Sequence, residues 1–357
     1  VADTDASGAP RRSLVTGATG LLGGNIVAHL LDAGGEVVAL VRDPERARRL
    51  LPDHDRLTVA AGDITDPGAY SPLLPGCDAV FHTAAYFREF YRPGADLEQM
   101  ERVNVTAVGD LLRAAEAAGV PVFVHTSSIN VLAATGPQRA ADEDTGVPEH
   151  YRDLDRSVDY ASSKVRAERV VRDYAATSAM RVPIVLPGWM WGPGDAGPTS
   201  AGRLLQSLAT GRMRAVPALS NYAVDARDVA AACVRAAVLP VTGRFVVAGA
   251  KHTIREIAEV VAKETGTPVP RAVPAWLAMA VVTLMEVSAR LRGTEPTATR
   301  TGVAVLRDAA GRNISSARAQ RELGIVFRPI ERTIADEVAW YRAQGVLPER
   351  DPASSPQ

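Results

Sequence analysis

Thr16-Gly17-Ala18-Thr19-Gly20-Leu21-Leu22-Gly23 follows the apolar pair Leu14-Val15 and opens a helical pattern that runs to Leu31. A glycine cluster between a strand and a helix is a phosphate-binding turn: Gly17 permits the tight bend, Gly20 lets backbone approach a pyrophosphate, and Gly23 permits close helix packing. The helix N-terminus faces the negative charge, and Thr19, Leu21 and Leu22 complete the stretch expected to meet a dinucleotide. Outward from it, apolar runs at Val37 to Val41, Leu57 to Ala60, Ala79 to His82, Val120 to His125 and Val182 to Leu186 read as short buried strands. Helical stretches at Glu98 to Ala118 and Ser157 to Tyr174 lie among them. Strands alternating with helices predict an α/β fold, a doubly wound, Rossmann-type parallel sheet covered on both faces, with the ligand at the strands' carboxyl ends.

After Gly192-Pro-Gly-Asp195 the rhythm loosens, and helices at Arg203 to Thr210, Ile254 to Thr265 and Pro274 to Leu291 follow without regular strands between them. Tyr222 to Val229, its helix and a strand at Arg244 to Val247 read as a return to the first lobe. The expected organisation is a dinucleotide-binding domain over 11–190 and 221–250, a smaller, mostly helical substrate-binding lobe over 191–220 and 251–346, and disordered tails at 1–10 and 347–357.

The 357 residues carry 40 basic and 41 acidic side chains, a net charge of -1 that offers no field for nucleic acid or an anionic membrane. The two cysteines, Cys77 and Cys233, stand in no metal-type spacing and fit a reducing compartment, so cytoplasm is the expected location. The six histidines form no ligand set; His82 and His125 each end a strand and read as buried, hydrogen-bonded residues. No metal is expected. The uncharged stretch Ala272 to Met285 is shorter than the roughly 20 residues of a spanning helix and reads as core-facing or pocket-lining, with a partner-docking surface as the alternative.

Tyr160 and Lys164, in Asp159-Tyr-Ala-Ser-Ser-Lys164, are four apart on a helix and project from one face. A phenol with a pKa near 10 is a poor acid at neutral pH, but a nearby cation stabilises the phenolate and brings it within range of general acid–base work. Ser128, preferred over Ser127, would hydrogen-bond the reacting oxygen. At the end of the second strand, Val41 and Arg42 stand where an acid would hold the ribose of NAD. Arg42 suits a 2′-phosphate instead, so NADP(H) is the preferred cofactor, with NAD(H) as the alternative in which Asp43 turns inward.

With these motifs the chain resembles an extended short-chain dehydrogenase/reductase of the epimerase/dehydratase superfamily. It is most similar there to the dihydroflavonol reductase and 3β-hydroxysteroid dehydrogenase branch. Besides the glycine turn, the matching segments are Val41-Arg-Asp-Pro44, Gly62-Asp-Ile64, Val80-Phe-His-Thr-Ala-Ala85, His125-Thr-Ser-Ser128, Tyr160 with Lys164, and Pro187-Gly-Trp-Met-Trp-Gly-Pro193. The resemblance implies that Ser128, Tyr160 and Lys164 are catalytic, and that Asp63 and Ile64 flank the adenine. It also implies that Ala84 and Ala85 line the cofactor, Lys164 binds the nicotinamide ribose, and Pro187 lies by the nicotinamide. Leu186 departs from the pattern, in which many members have an arginine.

Tyr86-Phe-Arg-Glu-Phe-Tyr91 falls where substrate contacts vary in that family, and the aromatics Tyr86, Phe87, Tyr91, Trp189 and Trp191 suggest a pocket for an apolar or ring-bearing carbonyl or alcohol; the alternative is packing under the loop, and core packing is expected of at least one of Trp189, Met190 and Trp191. A nucleotide-sugar epimerase or dehydratase is the competing reading. Leu219-Ser-Asn-Tyr-Ala-Val224 lacks the arginine those relatives use on a diphosphate. A cofactor-sensing regulator is a third reading, opposed by the complete Ser128, Tyr160 and Lys164 set. Relatives often dimerise through the two helices corresponding to Glu98–Ala118 and Ser157–Tyr174, so a homodimer is expected.

Overall fold

The computed structural model describes residues 8–87, 96–136, 138–151, 160–292, 303, 307 and 310–349. Tyr91, residues 157–159 and most of both expected tails lie outside the described residues. Among the described residues twelve strands form three sheets: β1 (Arg12–Thr16), β2 (Glu36–Val41), β3 (Leu57–Ala61), β4 (Ala79–His82), β5 (Val122–Thr126), β6 (Pro183–Pro187), β7 (Trp189–Trp191), β8 (Ala215–Pro217), β9 (Ser220–Asp225), β10 (Gly243–Val247), β11 (Ala250–Thr253) and β12 (Arg271–Val273). The main sheet has the order β10-β6-β5-β4-β1-β2-β3 and is parallel throughout.

Alternate side chains along the inner strands are buried on opposite faces, which is why those strands read as continuous apolar runs, while the edge strand β3 is only partly buried. Val15, Val37, Ala39, Phe81 and Val124 pack under the helices Leu21–Asp32 and Ala226–Val238. Leu14, Val38, Leu40, Val80, Phe123 and Ile184 pack on the other face, under Ala107–Ala117 and Tyr160–Ala175. The chain runs outward from β1 to β3, then crosses back so that β4 lies on the other side of β1. Strand order reverses there, and a crevice opens at the carboxyl ends of β1 and β4.

A third cluster gathers Trp191, Leu205, Ile257, Val261, Ile334 and Val338. It joins the three-stranded sheet β11-β9-β7 to the helices Ser200–Ala209, Ile254–Thr265 and Ile330–Ala343. The stretch at Tyr222 differs from the sequence reading: β9 pairs with β7 and β11, and the return to the main sheet begins with helix Ala226–Val238 and β10. Helix Ile330–Ala343 carries Glu337, fully buried, whose Oε2 accepts from Gly192 N at 2.7 Å. Burial, reinforced by Asp195 and Asp225, pushes its carboxyl well above the usual range.

Helix Ala275–Arg292 buries Ala278 and Val282, but Trp276 is 73% and Leu284 70% exposed. The expected core-facing helix is therefore apolar on its outer side as well. No helix among the described residues is long and apolar enough to cross a membrane.

Candidate active site

The glycine turn closes against the first residues after β4. Gly17 has φ +71°, and a Cβ on it would stand 2.7 Å from both Ala84 N and Thr83 Oγ1. A Cβ on Gly23 would stand 2.2 Å from Gly17 O, so helix Leu21–Asp32 reaches this close to the turn only with glycine there. Gly20 N donates to Gly17 O at 2.9 Å. No side chain caps the helix at Gly20, which leaves the N–H groups of its first turn, Leu21 and Leu22 included, to meet an anion. Thr19 lies half-buried in the same turn. Backbone donors with no side chain in the way fit a dinucleotide pyrophosphate.

Around this turn stand the ends of the neighbouring strands. Arg42 follows β2 and is exposed. Asp43 caps helix Pro44–Leu50, its Oδ1 accepting from Arg46 N at 2.9 Å, which turns this carboxylate toward the helix N-terminus. After β3, Asp63 Oδ1 accepts from Thr65 N at 2.8 Å and from Thr65 Oγ1 at 2.7 Å, while Ile64 is buried. Ala84 and Ala85 are half-buried beyond β4.

Tyr160 and Lys164 occupy the first turns of helix Tyr160–Ala175. Lys164 is 6% exposed and donates from Nζ to Thr126 O at 3.0 Å, which ties the helix to the end of β5. Its Nζ lies 6.0 Å from the centre of the Tyr160 ring. Burial lowers its pKa to about 8, opposed by the charge of Glu168. Phe87 meets the Tyr160 ring edge-on at 4.8 Å.

The two serines after β5 differ in what they touch. Ser127 is buried and its Oγ donates to Glu168 Oε2 at 2.5 Å. Ser128 is half-buried and its Oγ accepts from Asn130 N at 3.2 Å, an acceptor role that leaves its own proton to donate.

Asn104 is a site residue that sequence reasoning missed. The expected single helix from Glu98 to Ala118 is broken by a wide turn at Arg102–Thr106, and Asn104 lies within it. Buried, it accepts from Tyr86 N at 2.7 Å and donates to Ser163 Oγ at 3.0 Å, joining the segment after β4 to the Tyr160 helix. An asparagine amid the apolar spacing of that helix was the available signal.

His82 and His125 stack at 5.6 Å on the sheet beneath Lys164. Both are buried, and burial with the nearby Lys164 charge holds them neutral, His82 at about 3 and His125 well below its usual value. His82 Nδ1 bonds Thr16 Oγ1 at 2.8 Å, as a buried histidine should. His125 departs from the expectation, since neither ring nitrogen has a hydrogen-bond partner among the described residues.

The expected pocket aromatics divide. Tyr86 is half-buried against the core, with its hydroxyl accepting from Asp96 N at 2.9 Å. Trp189 is half-buried and donates from Nε1 to Ser200 Oγ at 3.1 Å. Trp191 is fully buried in the third cluster, edge-on to Trp189 at 4.7 Å. Trp191 therefore takes the core-packing alternative and not the pocket role, since no part of its side chain is left accessible to a substrate. Pro187 ends β6 and is buried; Leu186 before it is fully buried in the core, so an apolar side chain fits where an arginine was the family expectation. Arg312 Nη1 donates to Ile129 O at 3.4 Å, one residue beyond Ser128. No cluster of three or more potential metal ligands occurs among the described residues.

Comparison with known proteins agrees with this geometry. The description of the NAD dependent epimerase/dehydratase family matches residues 13–249. Sterol demethylase protein B of Methylococcus capsulatus is 34% identical over 340 residues, covering 94% of this chain and 99% of that protein. A putative dihydroflavonol 4-reductase of Synechocystis is 30% identical over 342 residues, covering 93% and 95%. Among solved structures, gox2253 superposes with a TM-score of 0.77 at 30% identity, covering 94% of this chain and 99% of the other. A family match across more than half the chain, with two relatives matched nearly end to end, leads to one conclusion. The chain belongs to the NAD-dependent epimerase/dehydratase family, the extended short-chain dehydrogenases/reductases, and is an NAD(P)-dependent enzyme of that family.

Proposed function

We propose that the protein is an NADP(H)-dependent oxidoreductase that interconverts a carbonyl and a secondary alcohol on a small apolar or ring-bearing substrate. The cofactor, when bound, supplies or accepts the hydride. Tyr160 gives its phenolic proton to the carbonyl oxygen in the reducing direction and takes it back in the other. Lys164, an ammonium below a pKa of about 8, stabilises the phenolate left behind. Ser128 donates to the same oxygen and holds it near the phenol. One observation carries the reading: Tyr160 and Lys164 share the start of one helix, with Lys164 anchored to Thr126 O beside the serine pair. The engagement of Ser127 with Glu168 supports Ser128 over Ser127 as the hydroxyl that meets the substrate. The two relatives, named for a sterol and a dihydroflavonol, support a ring-bearing substrate.

The test is Tyr160→Phe, assayed with NADPH against aryl and cyclic ketones and aldehydes. Cofactor binding should persist while turnover falls by roughly 10²–10⁴-fold. Near wild-type kcat on a verified substrate would remove Tyr160 from the chemistry.

A second reading, a nucleotide-sugar epimerase or dehydratase, gains support from Arg312 beside Ile129, an arginine that the sequence argument did not count. Saturable binding of UDP by calorimetry, lost in Arg312→Ala, would favour it.

A further inference from the structure

Helix Tyr160–Ala175 directs a third residue inward on the stripe that holds Tyr160 and Lys164. Glu168 lies one turn beyond Lys164. Its side chain is 4% exposed and lies between two partners. Ser127 Oγ donates to Oε2 at 2.5 Å, and Nε of Arg244, itself 8% exposed on β10, stands 3.0 Å from Oε1. Arg244 is fixed in turn, donating from Nη1 to the carbonyls of Glu143 at 3.0 Å and Thr145 at 2.8 Å. Glu143 Oε1 accepts from Val246 N at 2.8 Å on the same strand as Arg244. A buried ion pair costs desolvation and is no efficient way to fill a core, so its place one turn from Lys164 calls for a role.

Lys164 is faced by few charged or titratable groups. Tyr160 and Glu168 come from its own helix, His82 from β4 and His125 from β5, and burial keeps both imidazoles neutral. Among the described groups, Glu168 supplies the charge that favours the ammonium. Arg244, with its Nε 3.0 Å from Oε1 of that carboxylate, draws on the same charge.

We propose that Glu168 is a positioning residue: held between Ser127 and Arg244, it keeps the Lys164 ammonium charged and locks the segment that presents Ser128. This rests on the reading of Tyr160 and Lys164 as the proton-handling pair. The carboxylate is wedged where it cannot leave, so the ammonium has a counter-charge even with water excluded. The hydrogen bond to Ser127 makes the same side chain set the distance between the serine segment and the helix.

The chain has three lysines, Lys164, Lys251 and Lys263, so each ε-carbon can be followed by NMR in protein labelled with 13C-lysine. Glu168→Gln keeps the shape and removes the charge, and the Lys164 titration midpoint should fall by about one pH unit or more. Arg244→Gln removes the competing cation, and the midpoint should rise. Lys251 and Lys263 should not move in either variant. An unchanged or higher midpoint in Glu168→Gln overturns the proposal; if that variant does not fold, an unchanged or lower midpoint in Arg244→Gln does so. The titration needs neither substrate nor turnover. Failure of the catalytic reading would appear separately, as near wild-type kcat in Tyr160→Phe with the lysine titrations intact. Where both stand, the alkaline limb of the pH–rate profile should move to lower pH in Glu168→Gln, which loosened packing alone would not cause.

Discussion

Asn104 Nδ2 donates to Ser163 Oγ at 3.0 Å, which bonds the wide turn of one helix to the residue beside Lys164 on another. Ser163 Oγ donates onward to Tyr160 O at 2.7 Å, so the chain of bonds ends on the backbone of the proposed acid. Asn104→Ala leaves Tyr86 N and Ser163 Oγ without this partner and should cost about 1–3 kcal/mol in urea unfolding. Turnover should fall more than cofactor affinity, because the bonds lost lie on the Tyr160 side. An unfolding midpoint equal to wild type would show that the bridge contributes nothing.

The glycine turn tolerates no side chain at its closest approach. Gly23→Ala places a Cβ 2.2 Å from Gly17 O, a contact with backbone that cannot rotate away. The helix must retreat, at roughly 1–3 kcal/mol of strain, and NADPH titration followed by fluorescence should show at least tenfold weaker binding. Gly146→Ala is the matched control, a glycine that like Gly23 lies outside the left-handed region but has no atom within 4 Å of a Cβ, and it should leave cofactor affinity unchanged.

Arg42 sets the cofactor preference in the proposed function, and Asp43 supports it by capping Arg46 N. Arg42→Ala should lower kcat/KM with NADPH at least tenfold and leave kcat/KM with NADH within about twofold, the loss expected of one charge-assisted phosphate contact. Equal losses with both cofactors would count against a 2′-phosphate contact.

Lys164 and Glu337 give the stability opposite dependences on pH. Burial depresses Lys164 to about 8 in the folded protein, so between there and its unfolded value the unfolded chain binds more protons, and stability rises with pH. The full rise is roughly 3 kcal/mol. Lys164→Met should flatten the increase between pH 8 and 10 in urea titrations.

Glu337 is raised, so its stabilisation is complete below the unfolded carboxylate pKa and is lost as pH climbs through the folded value. Glu337→Gln keeps an acceptor for Gly192 N without a charge. It should leave acid stability near wild type and raise the melting temperature at neutral and alkaline pH. A melting temperature below wild type at pH 8 would contradict the buried neutral carboxyl.

The inner strands of the main sheet were legible because burial on two faces forces uninterrupted apolar runs, as at Val37 to Val41; the edge strand β3 is only partly buried and was read from its β-branched and apolar composition. The two smaller sheets were not: β7 and β8 span three residues each, and β11, Ala-Lys-His-Thr, is mostly exposed. Such strands form because neighbours hold them, a tertiary effect that leaves no periodic trace. Spacing brought Tyr160 and Lys164 together on one helix face, whereas the assignment of Ser127 depended on Glu168, 41 residues away. Asn104 was hidden by a helix that looked regular, and Trp191 shows the reverse, an aromatic beside the cleft that its own lobe absorbs.

Helix Ile330–Ala343 completes the core around Trp191, and its Glu337 binds Gly192 N, 145 positions earlier in the chain. During synthesis on the ribosome, the main sheet can assemble once β10 has emerged, but the second unit still lacks one wall. An apolar face that includes Ile257 and Val261 must wait, uncovered, until some eighty further residues have been translated. A chain stopped before Ile330 would therefore be prone to aggregation and chaperone capture even with every proposed catalytic residue in place.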